Sequence, residues 1–406
     1  MWFFVFKHFS LENLYQILLI LLAFLMPLTV FGANLIIVII CLLWLLSGNY
    51  KTKYYEIINS RLLIASIIFF LIHVLGLIWT EDRDWGFHIV HKMWYFLLLL
   101  PVLSSLVRKD NINFYITAFL SAIFFTEVVS YMVWFELIPE FRHAQVINPT
   151  PFMSHVSYNP ILAFAIYLVL HKIFFSEDLS KVGFSLNVFF ALTMSFNMFI
   201  TGGRAGQVMF FTMVTILIFQ LFNRRIKSLF IVLILLPSLF MTAYQFSPLF
   251  NQRVNSAVEE VINYDQGLDY PGSVGKRITL SINSLDIVKE NPIFGVGTGD
   301  FPSEYKKMNI TNNSTTELNN ATNPHNMYLL IFVQLGLIGL LSMLSISYYQ
   351  IKLSFHSHNR YLKDIGITLP LLFLVIMLSD SYLLGHFTTL VYIFFSSFLY
   401  KDFEKN

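Results

Sequence analysis

Asn323-Pro324-His325-Asn326-Met327-Tyr328, with the apolar run that continues to Gly339, decides how this chain is read. Upstream lies a long polar stretch, residues 246–324. Downstream, residues 325–350 are apolar over a bilayer-spanning length, so a membrane helix is predicted to start at this junction. A histidine at that depth touches water and lipid headgroups together, and so can meet a substrate that is half lipid and half polar.

Working outward, similar runs recur at 12–30, 33–47, 61–79, 88–106, 113–133, 157–175, 184–201, 205–222, 227–245, 363–380 and 383–400. The pattern predicts an all-α polytopic membrane protein with about twelve transmembrane helices. It divides into helices over 1–245, one large helical outer loop over 246–324, and the last helices with a tail over 325–406. Composition agrees: the 406 residues are 56% hydrophobic and 12% charged, against about 25% charged in a soluble globule. No basic tract points to nucleic acid, and no Walker, Rossmann or zinc motif points to a cofactor. The single cysteine, Cys41, has no internal disulfide partner, so the long loop must be held by packing. The first apolar segment lacks a small-residue cleavage site and reads as a retained helix.

Lysine and arginine asymmetry predicts the orientation. With the N-terminus in the cytoplasm, Lys51, Lys53, Arg108, Lys109, Arg224, Arg225, Lys227, Arg360 and Lys363 fall in short inner loops. Arg83, Lys92, Arg142 and Arg204 also fall on the outer side, but the other outer cations, Arg253, Lys276, Arg277, Lys289, Lys306 and Lys307, share the one long loop, which the rule weights weakly. Both termini are then cytoplasmic. Within the long loop, Ile278, Ile282, Leu285 and Val288 have one-face helical spacing, which predicts a surface helix with that face against the membrane. Asn291-Pro292 ends it, the glycine-rich turn Phe294–Asp300 follows, and the Asn- and Thr-rich residues 308–323 read as a mobile segment.

Several residues could carry chemistry. His325 reads either as a base for a hydroxyl proton or as a helix-terminal histidine bonded to a loop carbonyl. Arg204, in the turn Thr201-Gly202-Gly203-Arg204-Ala205-Gly206, reads as a phosphate fork or as an arginine snorkelling to headgroups. Arg277 beside Lys276 reads as a ligand contact or as an anchor of the surface helix on anionic lipid. Asp380 at the end of the eleventh run needs a cationic partner, or is a solvated loop acid. His73, Glu127 and His171 have no motif around them and read as structural or interfacial.

Taken together, these patches resemble the O-antigen ligase and polymerase superfamily of bacterial membrane glycosyltransferases. The turn around Arg204 resembles its small-residue–Arg–Gly motif. Arg277 through Gly299 resembles its Arg…Asn/His-Pro…Gly-x-Gly segment. His325-Asn326, with Gly336 after nine intervening residues, resembles its His-Asn signature. Gly203 departs from the pattern, which often has serine there. The resemblance implies a GT-C-type fold and transfer of a glycan from undecaprenyl diphosphate to the lipid A–core acceptor at the periplasmic face of the inner membrane. It implies that Arg204 and Arg277 bind the donor diphosphate, that His325 acts on the acceptor hydroxyl, and that Asp380, Asn326 and Lys276 support the site, with no metal and no cofactor. The alternatives are a polymerase with a second lipid-linked glycan as acceptor, a protein O-oligosaccharyltransferase, and a transporter of lipid-linked sugars. A transporter predicts polar residues strung along the midplane, whereas the candidates here gather at one end.

Overall fold

A computed structural model describes residues 10–176, 179–222, 224–265 and 272–403. The first helices are α1 (Leu11–Leu25), α2 (Val30–Leu46), α3 (Tyr50–Asn59) and α4 (Arg61–Gly76). Next, α5 (Arg83–Trp94) runs through a π-helical turn, Tyr95–Leu99, into α6 (Leu100–Leu106). Then come α7 (Ile112–Trp134), α8 (His155–Phe175), α9 (Lys181–Ile200), α10 (Arg204–Leu221) and α11 (Arg225–Phe246). The long loop holds α12 (Pro248–Asp265), α13 (Ser273–Glu290) and α14 (Phe301–Thr311). The chain closes with α15 (Met327–His356), α16 (Arg360–Ile376) and α17 (His386–Leu399). Among the described residues the only sheet is a two-stranded antiparallel pair, β1 (Ala144–Gln145) and β2 (Asn148–Pro149).

The sequence sets these starts locally. Ser10, Thr29, Ser60, Ser180 and Asn359 each turn a side-chain oxygen onto a free N–H of the first helical turn. A helix covers each of the twelve apolar runs. Seven helices among the described residues are long and apolar enough to cross a membrane, or eight if the pair α2 and α3, bent by 115°, counts as one. The 15-residue α1 rises only about 22 Å, short of a hydrocarbon core of about 30 Å. Helix α3 is a polar addition that the apolar pattern did not mark; it has no buried residue.

Helices α8 and α17 are apolar on every side because they lie in the middle. All residues from Thr388 to Leu399 are buried, as are those from Tyr158 to Val169. At the other extreme, only 11% of the apolar window of α11 is covered by protein. Helix α10 crosses α8 closely because Gly206 has no Cβ to strike Asn159.

The helices alternate between two ends. At one, Lys401 donates to the carbonyl of Ser104 at 2.8 Å, Arg108 pairs with Glu12, and Arg360 meets Asp364 at 3.6 Å. At the other lie the long loop and the turns around residues 80, 148, 202 and 380.

Helix α15 breaks at Gly336, whose φ is +62°. The backbone groups released there are taken up by the segment after α13. Leu337 N–H donates to the carbonyl of Pro292 at 2.9 Å and Ile338 N–H to that of Ile293 at 3.4 Å. In return, Val296 and Gly297 donate to the carbonyls of Val333 and Gln334, both at 2.9 Å. Main chains approach this closely only because Gly295 and Gly336 lack side chains: a Cβ on either would overlap the facing backbone. Beyond the ladder, Thr298 Oγ1 donates to the carbonyl of His73 at 2.8 Å, and Asp300 accepts from the N–H groups of Glu81 and Asp82 at 2.9 and 2.8 Å. The glycine-rich turn thus ties α4, the start of α5 and the break in α15 together.

One expectation is corrected. Residues 308–323 are ordered by their asparagines rather than mobile. Asn309 Nδ2 donates to Thr315 O at 2.9 Å and Asn319 Oδ1 at 2.8 Å, and Asn283 donates to Asn309 Oδ1 at 3.0 Å. Helix α13 buries Leu280, Ser284, Ile287 and Val288, while Ile282 and Leu285 of the predicted face point outward. The helix has apolar residues on two faces: one packs against α15, and Ile282 and Leu285 on the other stay uncovered by protein.

Candidate active site

His325 stands just before α15 with a positive φ of 51°, a conformation rare for residues other than glycine and one that clusters at functional sites. Asn323 holds it there: its Oδ1 accepts the N–H of His325 at 2.8 Å. Asn326 caps the helix instead of facing a ligand, accepting from Leu329 N–H at 3.1 Å. Met327 N–H reaches the carbonyl of Met377 at 2.8 Å, which brings the end of α16 and Asp380 alongside.

The His325 ring lies with Nδ1 3.3 Å from Asp380 Oδ2. Asp380 Oδ1 also accepts from Asn323 Nδ2 at 3.2 Å and from Ser381 N–H at 2.7 Å. Burial pushes the Asp380 carboxyl up, but the His325 hydrogen bond and charge, with the Ser381 and Asn323 donors, outweigh it and hold the group below its usual value. Asp380 is therefore an ionised acceptor at neutral pH. In the neutral imidazole the facing Nδ1 then carries the proton and Nε2 holds the lone pair. The His325 side chain is 44% exposed, so that lone pair is open to a ligand.

Three arginines gather at the same end of the molecule. Arg204, the first residue of α10, donates to Ser273 Oγ at 3.2 Å and lies 3.7 Å from Glu260. The fields of Arg253 and Arg277 both reach it. The field of Arg277 also reaches Tyr382, two residues from Asp380. Arg277, which has no ion pair among the described residues, thus lies within electrostatic reach of both Arg204 and Tyr382. Lys276 turns elsewhere, to Glu317 at 2.7 Å. Sequence reasoning did not single out Arg253, which α12 carries toward Gly202 and the Asn148–His155 pair. The turn itself is pinned by Asn148, whose Oδ1 accepts Gly202 N–H at 2.9 Å. Neither residue carries a local motif.

A cavity of about 280 Å³ opens beside the pair, with Asp380 and Asn323 in its wall. A larger hollow of about 710 Å³, between α13 and residues 312–316, holds none of these groups. Among the described residues no set of three or more His, Cys, Asp or Glu is arranged to hold a metal ion.

Residues 189–344 match the family described as O-antigen ligase. The match spans less than half of the chain, and over that stretch the chain is similar to the O-antigen ligase family. The match takes in Arg204, Arg277, the glycine-rich turn, His325 and Gly336, and leaves Asp380 outside. A Haemophilus influenzae protein described as uncharacterized is 26% identical over 322 residues, covering 76% of this chain and 77% of the relative. The likeness to the O-antigen ligase family supports reading the chain as a membrane enzyme of glycosyltransferase type.

Proposed function

We propose that this protein is an O-antigen ligase that moves a glycan from undecaprenyl diphosphate to a lipid A–core acceptor, at the periplasmic face of the bacterial inner membrane. In this reading twelve helices span the membrane in a GT-C-type arrangement, both termini are cytoplasmic, and residues 246–324 form the periplasmic loop. The observation that carries the proposal is the hydrogen-bonded His325–Asp380 pair, at the same end of the helices as Arg204 and Arg277.

The acceptor hydroxyl oxygen attacks the anomeric carbon of the donor. Its proton passes to His325 Nε2, the bond from that carbon to phosphate oxygen breaks, and the lipid diphosphate leaves with the electron pair. Arg204 and Arg277, with Arg253 beside them, neutralise the charge that grows on the diphosphate, in place of a metal. One displacement inverts the anomeric centre.

The test uses the purified full chain in nanodiscs with a lipid-diphosphate-linked glycan and lipid A–core. A glycan–lipid A–core product of inverted configuration is expected. Retained configuration, or transfer only to a second lipid-linked glycan as in a polymerase, overturns the reading. Arg277→Ala is expected to lower transfer by about 10²–10³-fold. Arg204→Lys keeps the charge and loses the two-pronged contact, so a clear loss is expected there too. Full activity of Arg204→Lys would show that charge alone matters at that position.

A further inference from the structure

The cavity beside Asp380 has a second wall, built by α5. Trp85, Ile89 and Lys92 line it at helical spacings of four and three residues, which put them on one face. Asp300, fixed in the glycine-rich turn, accepts the N–H groups of Glu81 and Asp82 and so sets the start of α5. The same clamp that crosses the break in α15 therefore aims Trp85 and Lys92.

Lys92 is half-buried, and among the described residues it has no hydrogen bond and no ion pair. The nearest acid in the wall, Asp380, is already engaged by His325, Asn323 and Ser381. A half-buried cation without a counter-charge, in a cavity at a membrane edge, signals a ligand of opposite charge. The rest of the wall suits a sugar: an indole for a ring face, and the Asn323 amide with the Ser157 and Ser381 hydroxyls for ring hydroxyls. At about 280 Å³ the cavity is at the small end of the roughly 300–1,000 Å³ range of ligand sites. It suits one sugar ring rather than a long glycan.

We propose that this cavity seats the acceptor sugar, and that Lys92 selects an acceptor carrying a phosphate or carboxylate beside the reacting hydroxyl. The proposal rests on the ligase reading for the word acceptor. The binding of an anionic sugar ring does not depend on it.

Two measurements on the full chain in nanodiscs separate these. In saturation-transfer NMR, galactose 6-phosphate and galacturonate are expected to contact the protein more strongly than galactose. Lys92→Gln erases that preference, Lys92→Arg keeps it, and Trp85→Ala weakens all three sugars. A preference for only one anion tells phosphate from carboxylate. Equal contact by neutral and anionic sugars, or a preference unchanged in Lys92→Gln, overturns the proposal. In the transfer assay, lipid A–core is compared before and after removal of its core phosphates. The ratio of transfer to the two acceptors is expected to fall about tenfold in Lys92→Gln and to be restored in Lys92→Arg. A ratio unmoved by Lys92→Gln overturns acceptor selection. Absence of any transfer by the unmodified protein counts against the ligase reading instead, and the NMR result then still decides the cavity.

Discussion

His325→Ala is expected to lower glycosyl transfer by about 10²–10⁴-fold, the range for losing a positioned general base. The expectation rests on the tautomer. Asp380 is an ionised acceptor, so His325 Nδ1 carries the proton and Nε2 is left to take another. Asp380→Asn takes away the carboxylate that fixes this arrangement, and the imidazole is then free to turn over. Asp380 acts through His325, so its loss should lower kcat and leave the KM for the lipid-linked donor near the original value. Arg277→Ala should instead disturb the donor side. The assay is single-turnover transfer with purified protein, with donor binding measured separately. Normal transfer by His325→Ala removes the base role outright. A rise in donor KM in Asp380→Asn, with kcat unchanged, would place Asp380 on the diphosphate instead of behind His325.

Much of this architecture was legible because bilayer-length apolar runs mark helices directly. Each of the twelve runs carries a helix, and the loops assigned to one side by charge do gather at one end. The side-chain pairings were harder to read. His325 and Asp380 are 55 residues apart, and tertiary contacts, the docking of Met327 on Met377 and of Asn323 on Asp380, bring them together. Arg253 and Lys92 looked like ordinary outer-side cations, since nothing in their local sequence distinguishes a residue facing a cavity from one facing water. Helix α13 was legible only in part for a related reason: it offers two apolar faces, and periodicity alone does not say which of them packs on α15. The glycine-rich turn was visible as a turn. Its purpose was not, because its hydrogen-bonding partners lie in α15 and the register between the two segments is a tertiary property.

That register yields the second large effect. Gly336→Ala is expected to cut transfer severely although His325, Arg204 and Arg277 are untouched. The position has φ +62°, and an added Cβ would strike the Ile293 carbonyl, a backbone group with no side-chain freedom to retreat. The strain costs on the order of 1–3 kcal/mol. Pushing the segments apart also breaks the four backbone hydrogen bonds that cross the helix break, each worth about 0.5–1.5 kcal/mol. Segment 292–300 then loses its seat, and with it go Asp300, the start of α5 and the wall of the cavity. Gly295→Ala attacks the same contact from the other side, since its Cβ would strike Gln334. Once one alanine has opened the ladder, the other has little left to disrupt. The double variant should therefore lose less thermal stability than the sum of the two single losses. Thermal unfolding of the three variants in detergent decides it. Strictly additive losses would mean that the two glycines act separately, and that the turn after α13 does not hold the break in α15.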